Sequence, residues 1–456
     1  MGLNKTNILI FVFLFILSSL SATDFSAEYV AVVFKDKGVA FEEQASVTHL
    51  LSEKSLQRRN RQGLSLDWHD YPVDSTYVRQ ITVAGLQVVG QSKWLNSCLV
   101  KLSENKSAEI ALLGSLASVK EIRYLGGKGK AEGLLSVMPG PDTQVSEALR
   151  EIYKVMNLDS LHTKGFRGEG MTVAVLDAGF WGADTLPGFR DLFTRGQMQG
   201  VKDFTGGEFP LYSGTAHGTR VLSLLHVLNG PDLLGTAPSA NIWLMKTEDI
   251  SYEHPLEEFY FVQALEYSDS IGVDVVNASL GYYSFDDTAY SYSNNQLYTS
   301  FSIATQAATL AASRGMILVT SAGNEGDIRW KEITFPADAD SILAVGAVNA
   351  HGRATRYASY GRTDAPFVRP NVAAPGHKIY TLDERGRFTM AFGSSYAAPL
   401  ITGAVLCLWE MFPDQPAIQI IRALERSAAA YESPHLQSGY GLPDLMKASR
   451  ILEHDR

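Results

Sequence analysis

Four side chains far apart in the chain could together cleave an amide. They are Asp177 in MTVAVLDAGF, His217 in GTAHGTRVLSLLHVL, Asn324 in VTSAGNEGD and Ser395 in AFGSSYAAPLITGAV. A hydroxyl becomes a useful nucleophile when a base takes its proton, and the base works best when a carboxylate orients it. A further donor must then meet the oxyanion that forms. Each residue alone has a plainer reading: a capping aspartate, a structural histidine, a turn asparagine and a serine in a Gly-Ser-Ser turn. Their contexts agree with one another, however. Each falls at the end of an apolar strand or the mouth of a helix.

Such residues need a sheet that gathers strand ends along one edge. From about Val145 onward, apolar strands (MTVAVLD, NIWLMKT, VDVVNASL, MILVTSAG, SILAVGAV) alternate with helical patterns at 217–228, 256–267 and 297–314. Continuous apolar strands alternating with helices predict an α/β fold, a three-layer and mostly parallel sheet with helices on both faces. Functional groups collect beyond the carboxyl ends of strands in such sheets. Pro399 has no N–H for the carbonyl of Ser395 four residues earlier, so the helix after Ser395 should open with an irregular turn.

The stretch from about Ile152 to Leu452 resembles the subtilisin-like serine proteases. VAVLDAG, HGTRV, SAGNEG and GSSYAAP match the family's aspartate, histidine, oxyanion and nucleophile motifs, in its order; GTAPSANIWLMK, SLG at Ser279–Gly281 and RPNVAAPG are similar to further family stretches. The resemblance implies an Asp177–His217–Ser395 triad, with the Asn324 side chain and the Ser395 backbone N–H facing the oxyanion. It also implies that Ser279, Leu280, Gly281 and Ser321, Ala322, Gly323 wall the pocket for the residue before the scissile bond. The expected activity is a serine endopeptidase acting on proteins or peptides without a cofactor. Alternatives are a catalytically silent binding protein of the same fold, or an enzyme that cuts only itself. Four positions depart from the pattern: Ser394 replaces a usual threonine, Arg220 a histidine, Tyr282 a glycine and Tyr396 a methionine. Calcium is frequent in the family, but no EF-hand-like loop is present, and Asp338 and Asp340 read equally well as loop residues, so structural calcium is left unassigned.

The N-terminus adds Lys5, an apolar run Ile8–Leu17 and small residues through Ala22, the order of a signal peptide over residues 1–22. Ten apolar residues make about 15 Å of helix, half a bilayer core, so a permanent span is not expected. The product is then secreted, into a periplasm or outside the cell. Residues 27–125 read as a small α+β domain that resembles, by size and position, the inhibitory prodomain of these proteases. Residues 126–147, with GGKGKAEGLLSVMPGPDTQ, read as an irregular linker holding the maturation site, and 148–456 as the catalytic domain. The basic run RRNR, Arg58–Arg61, reads as a solvated helix face. A net charge of −10 argues against nucleic acid as a partner. Cys98 and Cys407 read as an unpaired couple, and a monomer is expected.

Overall fold

The structure, a computed structural model, describes residues 29–38, 41, 46–126, 138–139, 143–206, 209–230 and 232–455. The expected signal peptide lies outside them, as does most of 127–142. Strands β1 (Tyr29–Phe34), β2 (Gln87–Ser92), β3 (Ser97–Lys101) and β4 (Val119–Tyr124) form an antiparallel sheet in the order β2-β3-β1-β4. Side chains alternate across a strand. Val30, Val32, Cys98 and Val100 accordingly share a core with Ile81 and Leu113 of two covering helices, Ser75–Val83 and Lys106–Ser115. Ala31 and Leu99, one residue out of step, pack into a core of the C-terminal region.

That region holds β5 (Met138–Pro139), β6 (Thr172–Asp177), β7 (Met198–Asp203), β8 (Val227–Asn229), β9 (Asp232–Leu234), β10 (Asn241–Lys246), β11 (Val275–Ala278), β12 (Ile317–Ser321), β13 (Leu343–Val348), β14 (Val372–Pro375), β15 (His377–Leu382) and β16 (Phe388–Phe392). Seven of them make one sheet, β14-β13-β12-β11-β6-β10-β7, with every neighbouring pair parallel. The α/β architecture with helices on both faces is thus observed. Val173, Val175, Val275, Ile317 and Val319 face one layer, with the helices His217–Leu225 and Ser394–Met411. Ala174, Leu176, Val276 and Leu318 face the other, with Leu256–Ile271 and Ile303–Ser313. The strands are apolar throughout because neither face meets water.

Three expectations need correction. The helix expected over 297–314 begins only at Ile303, because Tyr298 (φ 64°) and Ser300 (φ 56°) are left-handed, and Ser302 then caps the helix by accepting from the Ala304 and Thr305 amides. The segment expected to be an irregular linker carries β5, which pairs with β16, and a helix that begins at Thr143. Arg58 and Arg59 are not solvated: they are buried against Asp269 of the C-terminal region. Cys98 and Cys407 are both buried and free, one in each region.

Candidate active site

Asp177 is the last residue of β6, the strand between β10 and β11, so its carboxylate sits at the carboxyl edge near the middle of the sheet, 1% exposed. His217 is the first residue of its helix, held by that helix's wholly buried shaft. Its Nδ1 lies 2.9 Å from both Asp177 oxygens. Burial disfavours a charged imidazole, but the Asp177 charge and hydrogen bond outweigh it, and the proton affinity of His217 is raised above the ordinary value of 6.5. Tyr396 lies against the imidazole, ring centroids 5.7 Å apart and tilted by 46°. Tyr396 follows Ser395, so the helix mouth that carries the serine also lays an aromatic ring against the imidazole.

Gly393 (φ 138°) turns the chain from β16 into the helix Ser394–Met411. The carbonyl that Pro399 leaves without an intrahelical donor is filled by another group: the Ser279 hydroxyl donates to Ser395 O at 2.8 Å. In return the Ser395 hydroxyl donates to Ser279 O at 3.2 Å. Ser279 is fixed by Asn277, whose Nδ2 donates to its hydroxyl at 3.1 Å, and Asn277 Oδ1 accepts from Thr402 at 2.8 Å. Thr402 is two helical turns beyond Ser395, on the same face of the helix.

Asn324 follows β12 and is exposed. Its Oδ1 accepts from the Ser394 amide at 2.8 Å and the Ser394 hydroxyl at 3.1 Å. This fixes which way the amide group points and leaves Nδ2 as the free donor. The Ser394 hydroxyl also bonds Gly323 on both sides, accepting from its N–H at 3.2 Å and donating to its carbonyl at 3.1 Å.

The two expected pocket segments continue neighbouring strands, β11 and β12, and Ser321 ties them by donating to Leu280 O at 3.1 Å. A Cβ on Gly281 would stand 2.1 Å from Thr334 Oγ1; one on Gly323 would meet Glu325 Oε2 at 2.4 Å and Thr334 Cγ2 at 3.2 Å. Thr334 and Glu325 therefore occupy the space between the segments, and burial raises the Glu325 carboxyl. Tyr282 is buried; its hydroxyl donates to Glu248 at 2.8 Å and its backbone pairs with Phe335. Arg220 reaches β16, donating to Thr389 at 2.5 Å, with Glu384 at 3.7 Å. Both Asp338 oxygens are taken, by the Tyr298 amide and the Thr305 hydroxyl. Among the described residues no group of three or more His, Cys, Asp or Glu side chains could hold a metal ion.

Thr402, Asn277, Thr334 and Glu325 were not singled out in the sequence. Glu325, next to Asn324, and Thr402, at helical spacing from Ser395, had signals there. Thr334 had none, because its side chain meets Gly281 only once the chain has folded.

A model of the Peptidase S8 subtilase family matches residues 168–442, the stretch that carries these groups. The chain belongs to the subtilase family. A second model, the Peptidase S8 propeptide domain of Bacteroidota, matches residues 29–132. The protein is a subtilisin-like serine endopeptidase with an N-terminal propeptide domain. Subtilisin Savinase from Lederbergia lenta is 29% identical over 290 residues, 63% of this chain and 94% of its own. Subtilisin NAT from Bacillus subtilis subsp. natto is 26% identical over 372 residues, 81% of this chain and 85% of its own. The crystal structure of the epidermin leader peptide processing serine protease from Staphylococcus aureus superposes with a TM-score of 0.64 at 18% identity, over 93% of this chain and 98% of that one.

Proposed function

We propose that this subtilase hydrolyses peptide bonds with Ser395 as nucleophile, His217 as general base and then acid, and Asp177 as the carboxylate that orients the imidazole. Asn324 Nδ2 and the Ser395 amide receive the oxyanion, and Ser279–Gly281 with Ser321–Gly323 hold the residue before the scissile bond. The reading is supported by the Asp177–His217 pair, 2.9 Å to both oxygens, with the neighbour of Ser395 tilted against the same imidazole.

The Ser395 hydroxyl must first turn from Ser279 O to His217 Nε2, a rotation about one side-chain bond. The base then takes the proton as Oγ attacks, and an acyl-enzyme and a free amine result once His217 returns the proton to the leaving nitrogen. Water, activated by the same imidazole, releases the acid. No cofactor enters these steps.

The chain is proposed to be made as a self-inhibited precursor, exported by residues 1–22 and matured by cleavage between about Leu125 and Val145, with 27–125 as prodomain and 148–456 as the catalytic domain. The propeptide match and the packing of Ala31 and Leu99 against the catalytic layer support it. Among the described residues no helix is long and apolar enough to cross a membrane. Ser395→Ala should abolish both peptide hydrolysis and labelling by a fluorophosphonate. Undiminished labelling of that variant would overturn the assignment.

A further inference from the structure

The helix Glu53–Arg61 belongs to the N-terminal domain in sequence but not in packing. Among the described residues, the core of that domain takes no side chain from it. Most of its partners are in the catalytic region. Arg58 donates to Asp269 Oδ1 and to Val273 O, both at 2.5 Å, and to Arg314 O at 3.2 Å. Arg59 reaches the other Asp269 oxygen at 2.6 Å and grips Asp70 through two bonds of 3.0 and 2.8 Å. Arg314 of the catalytic region answers with Asp67 at 2.6 Å. The side chains of Arg58, Arg59, Asp70 and Asp269 are at most 2% exposed.

The rest of the contact is polar and equally reciprocal. Lys54 pairs with Asp274 at 2.8 Å, Ser52 N donates to Ser270 O at 2.7 Å, and Gln62 bridges Gly315 O and the Ala417 amide. The Asp274 amide donates to Thr172 O, so the contact lies at the start of β6 and β11. Asp177 and Ser279 lie at or just beyond the other ends. Six residues of strand separate them, about 17–20 Å.

We propose that Arg58 and Arg59, closing on Asp269, are a second anchor for the N-terminal domain, remote from the cleft, which retains that domain after the connecting segment is cut. Its effect on activity rests on the reading of this domain as an inhibitor; the anchorage does not. Charged pairs removed from water bind weakly overall but are costly to break singly, because the partner stays buried without its counter-charge. Both arginines share the Asp269 carboxylate, so losing it leaves Arg58 buried without a counter-charge, while Arg59 keeps only Asp70. When the whole domain leaves, Asp269 meets water and is stable there. The clamp therefore resists partial separation and permits complete release.

The test uses the full-length Ser395→Ala chain, cut at Lys128 or Lys130 by a trace of trypsin and followed by gel filtration and by titration of the separated fragments. With the clamp intact the fragments should co-elute. Arg58→Met/Arg59→Met should raise the dissociation constant about 100-fold or more. Asp269→Asn, which keeps the shape and alters the other partner, should weaken binding in the same direction, and Gln57→Ala, on the exposed side of the helix with its hydrogen bond to Glu53 of the same helix, should leave it unchanged. An unchanged constant in Asp269→Asn and in the double variant overturns the anchor. A separate arm measures casein hydrolysis by the active chain once cut. Full activity of the co-eluting complex would overturn the inhibitor reading and leave the anchor standing.

Discussion

Ser279 and Ser395 exchange two hydrogen bonds: the Ser279 hydroxyl serves the Ser395 carbonyl at 2.8 Å, and the Ser395 hydroxyl rests on the Ser279 carbonyl at 3.2 Å. Pro399 makes the first possible, since an ordinary residue there would offer its own N–H to Ser395 O. Ser279→Ala should therefore leave a half-buried carbonyl without its donor, costing about 1–3 kcal/mol in stability and lowering turnover. Pro399→Ala in the same chain restores a backbone donor. The double variant should be more stable than the sum of the single changes allows, a coupling that a thermal double-mutant cycle reads directly. Strict additivity would mean that the two residues do not serve the same carbonyl.

On the proposed mechanism, the Asp177 carboxylate should also govern pH dependence. Burial lowers the proton affinity of His217, and the Asp177 charge and hydrogen bond raise it further than burial lowers it. Only neutral imidazole can take the Ser395 proton, so kcat/KM should fall as pH drops through a midpoint above 6.5. Asp177→Asn should move that midpoint down and reduce kcat by about 10⁴-fold. A midpoint that stays in place would remove Asp177 as the cause of the shift.

Asn324 and Ser394 should separate into a donor and its support. Asn324→Ala removes the free Nδ2 and should cost about 10²–10³ in kcat with little change in KM. Ser394→Ala leaves Asn324 Oδ1 bonded to the Ser394 amide but deletes its second partner. Its loss should be about tenfold, again in kcat, and Ser394→Thr should recover most of it. A loss in Ser394→Ala that appears only in KM would place this serine elsewhere in the cycle.

The places of the proposed catalytic residues were legible because each sits in a short motif whose backbone geometry is local: Asp177 ends an apolar strand, His217 opens a helix, and Gly393 precedes the Ser394–Ser395 pair. The alternation of strand and helix likewise fixed the parallel sheet, since strands buried on both faces must be apolar throughout. The anchor was not legible. RRNR reads as a solvated face because the Asp269 carboxylate and the Val273 and Arg314 carbonyls that receive Arg58 come from more than 200 residues away. The same holds for β5, whose register is set by β16 and not by its own residues.

Side-chain preference should depend on Thr334. Its Oγ1 would overlap a Cβ on Gly281 at 2.1 Å, its Cγ2 would press on one at Gly323 at 3.2 Å, and it is 2% exposed. A large side chain before the scissile bond would have to displace it. Thr334→Gly should raise kcat/KM for peptides with phenylalanine at that position, relative to alanine, by about tenfold or more. The measurement is a paired comparison on two otherwise identical substrates, and an unaltered ratio would show that Thr334 does not bound the pocket.

Glu258 should make folding stability fall with rising pH. Burial disfavours its charge and lifts its carboxyl from 4.5 to about 7, although Ser302 and Tyr292 both donate to it. Between those values the folded chain holds a proton that the unfolded chain has lost. The stabilisation is complete below pH 4.5, declines through pH 7, and is gone above it, an opposing contribution of about 3 kcal/mol. Glu258→Gln keeps the shape of the neutral acid and cannot ionise. It should melt within a degree or two of the parent at pH 5 and several degrees higher at pH 8. Calorimetry of both chains in the Ser395→Ala background, which removes self-digestion, decides the matter. An equal difference at the two pH values would show that Glu258 does not titrate in this window.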